Sequence, residues 1–126
     1  MKPDSYMEFY GPAFMQAVKG QPDAVVVAYL TALVYYWFHN NCRGLQDDTE
    51  FLRRVCERDK DEWPKIREVV FDNDQYFTQE PLSGLWHQKK AKGLWKKAEK
   101  GYQFQVDRTA AARAARWAKR GSRGAR

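Results

Sequence analysis

A length of 126 residues leaves room for one domain and a tail, with five Trp, seven Tyr and seven Phe to fill a core. Residues 1–46 carry three basic and three acidic side chains, residues 47–86 six and eleven, and residues 87–126 thirteen and two. The total of +6 therefore hides an acidic middle and an end of +11 that attracts polyanions by its summed field.

Residues 1–21 are aromatic and irregular. Tyr6, Phe9, Tyr10 and Phe14 suit an N-terminal strap, and Gly11-Pro12 marks a turn before a short helix from Pro12 to Val18. Met1-Lys2-Pro3-Asp4 shows no apolar signal region, so a reducing compartment is expected, with Cys42 and Cys56 as free, buried thiols. Pro22-Asp23 opens a long helix to about Asn40. Ala24–Phe38 is apolar almost throughout but falls short of the ~20 residues that span a bilayer. It is expected to be a core helix covered on several sides.

A second helix is expected from about Asp48 to Arg58, with Asp47 and Glu50 resembling a capping box and Phe51, Leu52, Val55 and Cys56 as its apolar stripe. A third follows a tight turn near Arg58-Asp59-Lys60, capped by Asp59 or Asp61, with Trp63, Ile66, Val69, Val70 and Phe71 buried. Gln75–Gln79 and Leu85–Gln88 have strand character, separated by the turn residues Glu80-Pro81-Leu82-Ser83-Gly84. The order helix, helix, turn, helix, hairpin is that of a winged helix. The fold class expected is mainly α: a winged helix-turn-helix with a short β-hairpin wing and a C-terminal helical arm. Its parts are 1–88, the winged-helix domain with its strap, 89–120, the basic helical arm, and 121–126, a disordered tail.

From Lys89 a helix gathers Ala91, Leu94, Trp95, Ala98 and Tyr102 on one side and Lys89, Lys90, Lys92, Lys96, Lys97 and Lys100 on the other. Gly101 and Gln103–Gln105 read as a break, with Asp107 capping a last helix over Thr109–Lys119. Arg108, Arg113, Arg116, Lys119, Arg120, Arg123 and Arg126 follow among alanines, which suits a segment that becomes helical on polyanions.

No enzyme chemistry is visible. His39-x-x-Cys42 has ligand-like spacing, yet zinc sites show two close pairs and only one exists here, so neither a metal nor any other cofactor is expected. Asp59, Asp61 and Glu62 read as helix-start residues rather than paired catalytic carboxylates. Those same carboxylates repel phosphate where a recognition helix would enter the major groove, which shifts any DNA contact to the wing and the arm.

The residue order resembles the YdaU-type family of phage and prophage proteins. The matching stretches are the helix Asp23 through Trp37 with its aromatic end Tyr35-Tyr36-Trp37-Phe38, and Asp47/Asp48…Leu52…Val55. Glu62-Trp63-Pro64-Lys65-Ile66 then leads to Val69-Val70-Phe71, followed by Tyr76-Phe77, Leu85-Trp86-His87-Gln88-Lys89 and the tail Arg108–Trp117. The resemblance spans about residues 8–120. It implies a replication-associated winged helix in the cytoplasm of a bacterial host, binding DNA or recruiting a helicase or helicase loader.

The expected function is thus a DNA-binding accessory or initiation protein of phage-type replication. Lys89, Lys90, Lys92, Lys96, Lys97, Lys100, Arg113, Arg116, Lys119 and Arg120 would hold phosphates, and Lys65 and Arg67 would make secondary contacts. The alternative is a non-catalytic protein-interaction module, using the acidic helical region or an aromatic surface that could also form a homo-oligomer.

Overall fold

The computed structural model describes the backbone of residues 2–124 and, among these, all side chains but those of residue 4 and residues 120–124. The described chain is mainly helical, with a two-stranded antiparallel sheet. No described helix is long and apolar enough to cross a membrane.

A 3-10 turn, Pro3–Ser5, and helix α1, Gly11–Ala17, form the N-terminal strap. Two hydrogen bonds help tie the strap down. Trp37 Nε1 donates to the Pro3 carbonyl at 2.8 Å, and the Tyr76 hydroxyl donates to the Ala17 carbonyl at 2.8 Å. Helix α2, Asp23–Phe38, buries Val25, Ala28, Tyr29, Ala32, Leu33, Tyr36 and Trp37, the i, i+3, i+4 stripe of one helical face. The expectation that α2 is covered on several sides holds over most of its circumference, where Ala24, Val26, Tyr35 and Phe38 flank the buried stripe as partly buried neighbours of the core. Val27, Leu30 and Val34 recur three and four residues apart on its outer face and remain 46%, 37% and 38% exposed. The later helices pack around the rest of α2, and Val27 at the N-terminal end of this narrow strip shares a hollow with Pro12 and Met15 of α1.

After α2 the chain reverses through Asn41 and Cys42, both at a φ of 54°, and Gly44 at 113°. The Asn40 side chain closes this turn by accepting from Gly44 N at 2.7 Å and donating to Gly44 O at 2.9 Å. Leu45 then pairs with Trp86 in an isolated antiparallel bridge, with reciprocal backbone hydrogen bonds of 2.8 and 2.9 Å.

Helix α3, Thr49–Val55, is capped by Asp48, whose carboxylate accepts from Phe51 N at 3.0 Å. The capping residue is therefore Asp48, not Asp47. Helix α4, Trp63–Arg67, continues into a π-helical turn, Glu68–Asp72. The position before α4, Glu62, makes no side-chain cap, and neither Asp59 nor Asp61 replaces it. Within the widened turn Val70 and Phe71, neighbours in sequence, are both fully buried. Strands β1, Thr78–Gln79, and β2, Trp86–His87, are shorter than expected and pair as Thr78 with His87 and Gln79 with Trp86. Phe71 lies 5.0 Å from Phe77 and 5.5 Å from Trp86 between ring centroids, so the hairpin is welded to the core by aromatic contacts.

Helix α5, Lys89–Gly124, runs for 36 residues without interruption, about 54 Å. The expected break at 101–105 is absent. Gly101 costs a helix only about 1 kcal/mol relative to alanine, and Gln103 Nε2 donates to Asp107 Oδ1 at 2.9 Å across the same stretch. Asp107 is thus an interior helix residue rather than a cap. Of the segment 121–126 expected to be disordered, 121–124 belong to this helix in backbone, and 125–126 lie outside the described residues.

Candidate nucleic-acid interface

The start of α5 is fixed by Gln88. Its Oε1 accepts from Ala91 N at 2.6 Å and its carbonyl from Lys92 N at 2.9 Å, while its Nε2 donates to the Tyr29 hydroxyl at 3.2 Å. Ala91 and Trp95 are buried, and Trp95 meets Trp37 edge-on at 5.1 Å. This docking of one face turns the lysines of the first three turns outward. Beyond Tyr102 every residue with a described side chain, 103–119, is exposed, so the distal half of α5 projects about 33 Å from the body, counted to Gly124.

Lys89, Lys96, Lys97 and Lys100 are exposed and make no ion pair with a described residue. The same holds for Arg113, Arg116 and Lys119 on the distal half; the side chain of Arg120 lies outside the described residues. Two members of the lysine row are engaged within the molecule. The Lys90 ammonium lies 4.8 Å from the centre of the Tyr10 ring. Lys92 lies 3.7 Å from Glu80 Oε2.

The proximal and distal cations do not form one continuous face. At about 100° per residue, Lys89, Lys96 and Lys100 fall within about 40° of one another, and Arg113, Arg116 and Lys119 centre on the opposite side of the helix. The exposed face opposite the distal cations is small and apolar, with Ala110, Ala114 and Ala118 four residues apart.

On α4, Lys65 is exposed. Arg67 is held in two ion pairs, with Asp47 at 2.8 Å and Asp72 at 3.4 Å, which neutralise it from within the fold. The acidic residues before α4 stay at the surface: Asp59 and Asp61 are exposed, and Glu62 pairs with Arg58 at 3.6 Å.

The residue that sequence reasoning missed is Asp47. Its carboxylate accepts from Trp86 Nε1 at 3.1 Å, from Arg67 at 2.8 Å and from Gln79 Nε2 at 3.2 Å, joining the start of α3, the end of α4 and the hairpin. These donors, Trp86 foremost, hold the carboxyl below its ordinary pKa. A second polar link lies under the hairpin. His87, 7% exposed, shares a 2.8 Å hydrogen bond between Nδ1 and the Tyr36 hydroxyl, and its Nε2 lies 3.4 Å from Glu80 Oε2. Burial, with Lys92 adding to it, pushes the His87 pKa below its ordinary value. A neutral ring facing a carboxylate through Nε2 carries its proton there, so Nδ1 accepts from Tyr36.

Cys42 and Cys56 are buried free thiols, both pushed up to about 12 by desolvation, and they pack as small apolar groups. Among the described residues, His, Cys, Asp and Glu do not gather in threes as metal ligands would. Comparison with protein-family models, with curated proteins and with solved structures finds no match to this chain.

Proposed function

We propose that this chain is a non-catalytic nucleic-acid-binding protein that holds phosphates through the cations of α5, as an accessory or initiation protein of phage- or prophage-type replication does. The observation that carries this reading is the set of exposed lysines and arginines, Lys89, Lys96, Lys97, Lys100, Arg113, Arg116 and Lys119, left without ion pairs to any described residue although the same molecule has an acidic middle. A phosphate backbone meets these groups without displacing an internal partner, and each contact releases condensed counterions. Lys65 adds a contact on α4, while Arg67 is already committed to Asp47 and Asp72.

The order of elements supports a winged-helix reading of the body. Helix α2, a bridge residue Leu45 that pairs with the second hairpin strand, helices α3 and α4, and then the hairpin follow one another in the chain. Asp59 and Asp61, exposed before α4, argue against base reading by that helix and for contacts by the arm. This reading agrees with the resemblance to the YdaU-type family, with a bacterial cytoplasm as the setting and a helicase or its loader as the protein partner.

The test is the affinity of the full chain for random-sequence duplex as salt rises. A straight, steep fall of log affinity with log salt is expected; negligible binding at low salt would overturn the proposal. A second reading has its own observation. The stripe Met15, Val27, Leu30 and Val34 is open to solvent and suits a protein contact. A chain that ignores DNA but self-associates, with Leu30→Asp restoring the monomer, belongs to that reading.

A further inference from the structure

Under the N-terminal strap lies a cavity of about 140 Å³, between α1, α2 and the first two turns of α5. Its walls are aromatic and aliphatic: Phe9, Tyr10, Phe14, Tyr29, Leu33 and Leu94. The rings form a ladder, Phe9 to Phe14 at 5.2 Å and Phe14 to Tyr29 at 5.6 Å, the second pair stacked within 10° of parallel. Phe9 and Tyr10 are 48% and 49% exposed, so the mouth of the cavity is itself aromatic. An apolar void of roughly 150 Å³ accommodates one benzene-sized ring.

The polar groups on the walls decide which ring. Lys90 lines the cavity with its ammonium 4.8 Å from the Tyr10 ring. Lys97 lies seven residues on, the same edge of the helix two turns later. Glu8 accepts from the Tyr10 hydroxyl at 2.7 Å through one oxygen, and its other oxygen has no partner among the described residues. Gln88 and the Tyr29 hydroxyl complete the polar rim. A flat ring with hydrogen-bonding edges, attached to an anion that a lysine can meet, is a nucleobase with its phosphate.

We propose that this cavity takes one unstacked base of a single-stranded nucleic acid, with Lys90 and Lys97 on the adjoining phosphates. The inference rests on the nucleic-acid reading above and deepens it. Stacking on Phe9, Tyr10 and Phe14 is indifferent to sequence, because every base has a π face. The free oxygen of Glu8 favours bases that carry an exocyclic amino group.

The experiment compares three probes by fluorescence anisotropy on the full chain: a mixed-sequence DNA single strand, an abasic sugar–phosphate strand of the same length, and a blunt duplex. The base-bearing strand is expected to bind at least about tenfold tighter than the abasic one. Ala13→Leu fills the cavity without touching a cation and is expected to erase that difference while leaving the abasic strand unchanged. Phe9→Leu, at the half-exposed rim, removes a π face with little loss of apolar volume and is expected to lower the ratio severalfold even if Ala13→Leu disturbs packing. Equal affinity for the two single strands overturns the cavity proposal and leaves phosphate binding standing; loss of binding to all three probes overturns both. A dimer that Ala13→Leu dissociates would give the cavity to a second copy and likewise overturn the base.

Discussion

The indole of Trp86 donates to the carboxylate of Asp47 at 3.1 Å, and the same carboxylate meets Arg67 at 2.8 Å. One side chain at the entrance of α3 thus ties the hairpin to the end of α4. Asp47→Asn keeps the size and removes the charge. It is expected to cost about 1 kcal/mol or less, because the carboxylate is 43% exposed and its ion pair is screened, and so to lower Tm by about 4 °C. The folded protein holds this carboxyl below its unfolded pKa, so its contribution is complete above about pH 4 and is lost as pH falls through the folded value. Thermal unfolding of both proteins from neutral pH into acid should show the two curves converging. A gap that is constant with pH would mean the carboxylate charge is not what matters.

His87 makes a second pH-dependent contribution, at higher pH. Its pKa is depressed by burial, so the folded state resists protonation. Stability is then full above the unfolded value of about 6.5 and declines as pH falls through the folded one. The ring protons of His87, followed by NMR, should titrate with a midpoint below the ordinary histidine value. Tyr36→Phe removes the donor to Nδ1 and leaves a buried acceptor unmet, at a cost of about 1–3 kcal/mol. An unchanged Tm in that variant would sink the assignment of the Tyr36 hydrogen bond.

Gly44 is a position where no side chain fits. Its φ is 113°, and a Cβ there would lie 2.7 Å from Leu85 Cβ and 2.8 Å from His87 Nε2. Both neighbours belong to the hairpin, so relief of the clash means moving the hairpin away from Leu45. Gly44→Ala is expected to lose about 3 kcal/mol or more, the sum of backbone strain and displaced packing. Chemical denaturation measures this directly; a loss below about 1 kcal/mol would show that the hairpin gives way easily.

Much of this fold can be read from local pattern. The i, i+3, i+4 recurrence of Val25, Ala28, Tyr29, Ala32, Leu33, Tyr36 and Trp37 predicts α2, and Pro81 with Gly84 predicts the hairpin turn. What the pattern hides is long-range. The Leu45 bridge to Trp86 leaves no local mark, because one residue has no period. Asp47 looks like a cap because its type and spacing suit one, yet its partners lie 20, 32 and 39 residues away. The lysine row of α5 is legible because it repeats on one helical face. The continuity of α5 past Gly101 is not, because a glycine and a short polar run resemble a break, while the i, i+4 pair Gln103–Asp107 counts for helix only once the chain is already helical there. The aromatic cavity is likewise invisible, since it forms only where the strap residues Phe9 and Phe14 meet Tyr29 of α2 and Leu94 of α5.

The opposed cation faces of α5 yield a prediction that separates its two halves. An α-helix about 10–12 Å across fits the major groove, which is about 12 Å wide, so cations on opposite sides can reach phosphates on both walls. Replacing Lys89, Lys96, Lys97 and Lys100 by Gln should reduce the salt slope on duplex by about 0.9 for each phosphate contact removed. Replacing Arg113, Arg116 and Lys119 by Gln should reduce it further and additively, since the two sets share no partner among the described residues. Glutamine is a good helix former, so circular dichroism should report the same helix content in each variant. If the distal set leaves the slope unchanged while the proximal set lowers it, the half of α5 beyond Tyr102 does not touch the nucleic acid. Its exposed alanine face, Ala110, Ala114 and Ala118, would then be the surface to examine for a protein contact.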